Sequence, residues 1–200
     1  MTGVQTCALP ICGLRGTGPG FDRSLWRALG EQGWLGILVP EQYGGMGLGF
    51  GELREVTEGL AKALLPEPYT AAAVLATRAL LLGDNEALKA RLLPAMASGE
   101  TLVGLAWQES LTGTDLDCAR TRATQTAQGY AIDGRKRFVV PGAAADGYIV
   151  AAHTAGTTGL FYVAADAPGL THTRERRSDG TFSAVLTFSG TPVAADEIGR

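Results

Sequence analysis

The sequence predicts an α+β chain, with an N-terminal α-helical domain followed by an antiparallel β-barrel or sandwich. Three observations carry this. Apolar residues repeat at helical spacing through the first hundred positions. Beyond Thr101 they fall into short runs, some alternating, separated by Gly-containing turns. The change is abrupt at Gly99-Glu100-Thr101, and helices followed by strands make two layers or domains, here 16–100 and 101–200.

In the first half, Leu25, Trp26 and Leu29 share one helix face, with Asp22 or Ser24 as N-cap and Gly33 as the stop. Phe50, Leu53, Val56, Leu60 and Leu64 form a second apolar stripe opposite Glu52, Arg54, Glu55, Glu58 and Lys62. Pro66 and Pro68 end it. Tyr69 to Leu82 is apolar nearly all round and reads as a helix buried between neighbours, and Asp84 or Asn85 caps the next one. That last helix turns Leu88, Leu92 and Leu93 inward, and Pro94 should end or kink it.

The second half offers strands at Leu102 to Trp107, Ala119 to Thr126, Tyr130 to Ile132, Arg137 to Val140, Tyr148 to Ala152, Leu160 to Ala164 and Phe182 to Phe188. Gln128-Gly129 and Asp133-Gly134 read as turns between them.

A net charge of -3 gives no basic footprint, which argues against nucleic acid and anionic membrane surfaces as partners. The longest apolar stretch, interrupted by Thr77 and Arg78, is too short to span a bilayer. Cys7, Cys12 and Cys118 cannot all pair and match no zinc spacing, so a reducing, cytoplasmic compartment is expected. His153 and His172 lack carboxylate or Cys neighbours at ligand spacing, so no metal site is expected. The opening residues 1–15 read as non-native or unstructured.

Two motifs carry more. Gly33 to Gly49 reads GWLGILVPEQYGGMGLG, in which Gly44, Gly45 and Gly47 permit positive φ and close chain approach, and Pro40 sets an extended loop. Leu105 to Asp115 reads LAWQESLTGTD, followed by Asp133-Gly134-Arg135-Lys136-Arg137-Phe138. Together, and in this order, they resemble the N-terminal and middle domains of the acyl-CoA dehydrogenases over about residues 21–200, with a branch similar to the small subunits of heteromeric members. Asp166 to Leu170 and Pro192 to Gly199 resemble the family's structural turns.

The resemblance implies FAD as cofactor and an acyl-CoA substrate dehydrogenated to a trans-2-enoyl-CoA. It also implies electron-transfer flavoprotein as acceptor and assembly with a like or unlike subunit. It makes this chain a fragment that stops where a C-terminal helical bundle should start, inactive by itself, with the catalytic base outside it. On the matching positions, Leu105, Trp107, Gln108, Thr114, Phe138, Val139 and Val140 would contact the cofactor, and Thr114 the substrate thioester as well. The backbone amides near Trp107 and Gln108 would meet the pyrimidine edge of the flavin, which does not depend on side-chain identity.

Several letters differ from the family pattern. Gln108 stands for Thr or Ser, Ser110 for Pro, Thr112 for Ala, Phe138 for Trp, Val140 for Thr or Ser and Pro141 for Asn. Phe138 keeps an aromatic wall, whereas Val140 lacks the hydroxyl that the family directs at flavin N5. The same residues also suit a strand and loop without flavin chemistry, a non-catalytic or half-site subunit. Arg135-Lys136-Arg137 and Arg174, Arg176 and Arg177 suit either phosphates or, for most of them, solvated strand faces.

Overall fold

The computed structural model describes residues 13, 14, 16, 18–110 and 120–199. Thr112, Thr114, Asp115 and the three cysteines lie outside them.

Helix α1, Arg23–Glu31, starts at Asp22, whose carboxylate accepts the Ser24 N–H at 2.8 Å, and it buries Trp26 and Leu29. The glycine-rich segment then makes two short turns, Trp34–Gly36 and Glu41–Tyr43. Gly44 and Gly47 take φ of 78° and 61°, and a Cβ on Gly45 would sit 2.0 Å from the Val39 carbonyl oxygen. The loop therefore requires glycine for conformation at two positions and for space at a third.

Helix α2, Phe50–Lys62, buries Leu53 and Leu60, and Glu52 accepts the Gly49 N–H at its start. The ends of its apolar stripe do not follow: Phe50 is 60% exposed and lies beneath Arg78, and Leu64, past the helix, is 51% exposed at φ 50°. A π-helix, Thr70–Ala76, runs into α3, Thr77–Leu82. The expected all-round burial does not hold, because Ala72, Ala73, Ala76, Thr77 and Leu80 face inward while Leu75 and Leu82 are exposed. Helix α4, Glu86–Ala97, is capped by Asn85 and continues through Pro94. The missing proline donor is tolerated because the turn beyond it is held by Ser98 N–H to Pro94 O and Thr101 N–H to Ala95 O, with Met96 and Ala97 buried.

One sheet of eight strands follows: β1 Val103–Ala106, β2 Arg122–Thr126, β3 Gly129–Val139, β4 Gly147–His153, β5 Thr158–Ala164, β6 Leu170–Arg176, β7 Phe182–Ala194 and β8 Ile198–Gly199. Its order is β6-β7-β3-β2-β4-β5-β8, with β1 also on β4. Most pairs are antiparallel as expected, but β1 and β2 both lie parallel to β4, so the sheet is mixed. Long connections put β1 and β2 end to end along one edge of β4, an arrangement no hairpin signal announces.

Two expectations are corrected by the strands. Asp133-Gly134 is no turn, for β3 runs unbroken through it. Gly134, at φ 140°, is instead where Thr121 packs on the strand, and a Cβ would lie 2.7 Å from Thr121 Cα. Leu170–Arg176, absent from the strands expected above although its arginines suit a solvated strand face, is a strand paired along its length with β7.

The sheet's inner face holds Ile132, Val139, Tyr148, Val150, Phe161, Leu186 and Phe188 in one core. A second cluster joins Val39, Ala76, Leu80, Leu92, Leu93 and Met96 to Val103 and Ile149, so helices and sheet share apolar packing. Asp146 ties them further, accepting the Leu102 N–H at 2.7 Å and an ion pair from Arg23.

Candidate functional site

Six of the seven candidate site residues, all but Thr114, lie where β1 ends and β3 is deformed. Along β3, Lys136 pairs with Leu186 and Val139 with Ala184, three steps against two, so β3 carries a bulge at Arg137-Phe138. Phe138 takes φ 54° there and is turned outward, 38% exposed, with the Arg137 guanidinium 5.3 Å from its ring centroid. The extra residue shifts the strand's inward alternation from even to odd positions, so Val139 enters the sheet core. Its side chain is 1% exposed, so the cofactor contact expected at Val139 would be made by its backbone.

Leu105 is half-buried and packs on the core shared by helices and sheet. Trp107 and Gln108 follow as irregular chain, and both carbonyls are taken. The Arg137 N–H donates to Gln108 O at 2.8 Å, and Lys136 Nζ donates to Trp107 O at 3.2 Å. This lays the Trp107–Gln108 peptide beside the bulge that presents Phe138.

Beneath lies an interaction that the sequence reading missed. Lys136 is fully buried and its Nζ is 2.7 Å from Glu109 Oε1, which also accepts the Thr121 N–H at 3.1 Å. Burial opposes ionisation of Glu109, but the bonds from Lys136 and Thr121 outweigh it and hold its carboxyl below the ordinary glutamate value. Lys136 is thus no phosphate ligand and no solvated charge. The available signal was its period-two register with Ile132 and Gly134, which puts it on the inward face. The remaining basic residues behave otherwise: Arg135, Arg174, Arg176 and Arg177 are exposed, Arg137 pairs with Glu175 at 2.8 Å, and Arg174 stacks over Phe182.

Val140 and Pro141 open into a cavity of about 540 Å³ between the helical half and the sheet. Leu64, Leu65, Tyr69 and Leu75 line one side, and Arg177, Asp179 and Phe182 the other. The Tyr69 hydroxyl donates to Trp34 O at 2.7 Å, and burial pushes its pKa up to about 12, so it is neutral. Glu67 sits in the same wall, 8% exposed, and neither carboxylate oxygen has a hydrogen-bond partner among the described residues. Burial, with the charge of Asp22 adding, raises its pKa.

A model of the acyl-CoA dehydrogenase N-terminal domain matches residues 14–100. An acyl-CoA dehydrogenase of Bacillus subtilis (strain 168) is 32% identical over 179 residues, 84% of this chain and 46% of its own. The chain belongs to the acyl-CoA dehydrogenase family. Among solved structures, the ChsE4-ChsE5 complex from Mycobacterium tuberculosis matches with TM-score 0.84 and 29% identity, over 94% of this chain and 50% of that one. An acyl-CoA dehydrogenase complexed with FAD from Bacillus anthracis gives 0.79 and 28%, over 88% and 32%. This member of the acyl-CoA dehydrogenase family thus spans about half the length of the relatives it matches, or less.

An FAD, as the family pattern implies, would find a backbone frame here but not all the side chains of that pattern. Ordered peptides at Trp107 and Gln108, an outward aromatic at Phe138 and an adjoining cavity are present. Neither Gln108 nor Val140 offers a hydroxyl.

Proposed function

We propose that the protein is part of an FAD-dependent acyl-CoA dehydrogenase acting on a CoA thioester whose acyl group occupies the cavity beside Val140. The observation that carries this reading is the junction of three features on one edge: the Trp107–Gln108 backbone, the bulge presenting Phe138, and Val140 at the wall of an approximately 540 Å³ cavity. That volume falls within the roughly 300–1,000 Å³ typical of small-molecule sites.

FAD, when bound, supplies the hydride acceptor for α,β-dehydrogenation. Trp107 and Gln108 hold it through backbone donors, and Phe138 walls it on one side. Val140 excludes water from the reacting carbons, and the leucines at 64, 65 and 75 receive the apolar acyl group. The electrons taken from the substrate pass on to an electron-transfer flavoprotein. Thr114, outside the described residues, is assigned to the thioester by the family pattern.

The protein expressed from its complete reading frame is expected to purify with the visible spectrum of oxidised flavin and to bleach when acyl-CoA is added anaerobically. A colourless protein that takes up no FAD in titration would sink the reading.

A second reading is favoured by Gln108 and Val140 together with the similarity to the ChsE4-ChsE5 complex: a subunit of a heteromeric acyl-CoA dehydrogenase in which this chain contributes a degenerate half-site. Flavin stoichiometry separates the two. One flavin per chain supports the first reading, and one per pair of unlike chains the second.

A further inference from the structure

We propose that Lys136 and Glu109 are positioning residues that aim the backbone N–H of Gln108 at the cofactor. The proposal rests on the flavin reading above and adds what holds the donor in place.

The Trp107 carbonyl and the Gln108 N–H belong to one peptide unit. A trans peptide is planar, so its C=O and N–H point in opposite directions, and fixing one end fixes the other. Lys136 Nζ holds that carbonyl at 3.2 Å. Its own position is set by Glu109 at 2.7 Å, and Glu109 is set by the Thr121 N–H at 3.1 Å. The next peptide is secured in the same manner, since Gln108 O accepts from Arg137 N–H at 2.8 Å and so orients the Glu109 N–H. Two consecutive peptides at the end of β1 are therefore clamped by their oxygens to β3, the strand that also presents Phe138.

Folding does not require an ion pair for this purpose. A buried pair is commonly replaceable by apolar residues of similar volume without loss of stability, because desolvation of both charges offsets their attraction. Lys136 is 0% exposed and Glu109 10%, so this pair bears that desolvation. An apolar pair, however, has no donor for Trp107 O. The particular contribution of Lys136 is direction. With no hydroxyl at positions 108 and 140, binding falls more heavily on backbone donors, and so on what orients them.

The test measures FAD dissociation constants on apoprotein made from the full-length chain, alongside urea unfolding. The double variant Lys136→Met/Glu109→Leu is expected to stay folded without urea, at a midpoint lowered by the unpaired Trp107 O and Thr121 N–H, and in its folded state to bind FAD at least about tenfold more weakly, with a shifted flavin reduction potential. Glu109→Gln, which keeps an acceptor beside Lys136 but removes the counter-charge of a buried ammonium, is expected to lower the urea midpoint while weakening FAD binding less than Lys136→Met does. It also provides the comparison with Lys136→Met should the double variant not fold. Equal FAD affinity in wild type and the Lys136 variants overturns the proposal, as does a loss in Glu109→Gln as large as in Lys136→Met. Failure of the wild type to bind FAD instead overturns the flavin reading itself.

Discussion

Val140 and Glu67 show how single side chains set the chemistry of the cavity they share. Val140 is half-buried at its wall and nearly isosteric with threonine. Val140→Thr should therefore fold normally and, by restoring a donor, tighten FAD binding by about five- to tenfold, the equivalent of one net hydrogen bond near 1 kcal/mol. Unchanged affinity in a titration would remove Val140 from the cofactor's surroundings. Glu67 is carried at a cost because burial disfavours its charged form. Its folded pKa lies above the unfolded one, so its protonated form is favoured in the fold, and stability drops as pH rises from the ordinary glutamate value of 4.5 through the raised one. Glu67→Gln should unfold at a higher temperature than wild type at about pH 8, and the difference should vanish by about pH 4. A difference that persists in acid would show that packing, and not charge, is responsible.

Among the elements, β3 has most to do with the site. It reads in sequence as two short runs around a turn, yet it forms one long strand because Gly134 admits Thr121 against its backbone. Gly134→Ala would set a Cβ 2.7 Å from Thr121 Cα at φ 140°. A destabilisation of about 2 kcal/mol or more is expected in denaturant unfolding. Because Thr121 N–H anchors Glu109, FAD affinity should fall with it. The bulge at Arg137-Phe138 is the second device. Periodicity fails at a bulge, since one inserted residue exchanges inward and outward faces, which is why the sequence points Val139 at the cofactor and the structure holds it in the core. The helices were more legible: caps at Asp22 and Asn85 and the inward faces at Trp26, Leu29, Leu53, Leu60 and Leu88 follow directly from spacing. Phe50, Leu64, Leu75 and Leu82 were not, because helical spacing marks an apolar face without stating whether another element covers it.

At the scale of the molecule, the site depends on how the helical half sits against the sheet. The cavity is bounded by Leu64 to Ala71 and Leu75 from one and by Val140-Pro141, Arg177, Asp179, Thr181 and Phe182 from the other. Asp146 is one polar tie across this junction, holding the buried Leu102 N–H and Arg23 together. Asp146→Ala leaves the Leu102 donor unpaired and should cost about 1–3 kcal/mol by urea unfolding. Hydrogen exchange should quicken around Leu102 and α1 while the β3–β7 ladder stays protected. Uniform acceleration throughout would contradict a local role for Asp146 at the junction. No described helix is long and apolar enough to cross a membrane.

The sequence by itself determined the family, through the glycine-rich segment and the LAWQES and DGRKRF runs, and most of the helices, through caps and periodicity. These are local properties, set by φ, side-chain spacing and hydrogen bonds a few residues apart. Only the tertiary structure decided the parallel placement of β1 and β2 on β4, the outward turn of Phe138, and the burial of Lys136 against Glu109. Each depends on partners far apart in the chain, where a one-residue change of register reverses which face a side chain occupies. A lysine that looked like surface charge became the support of a backbone donor for the same reason.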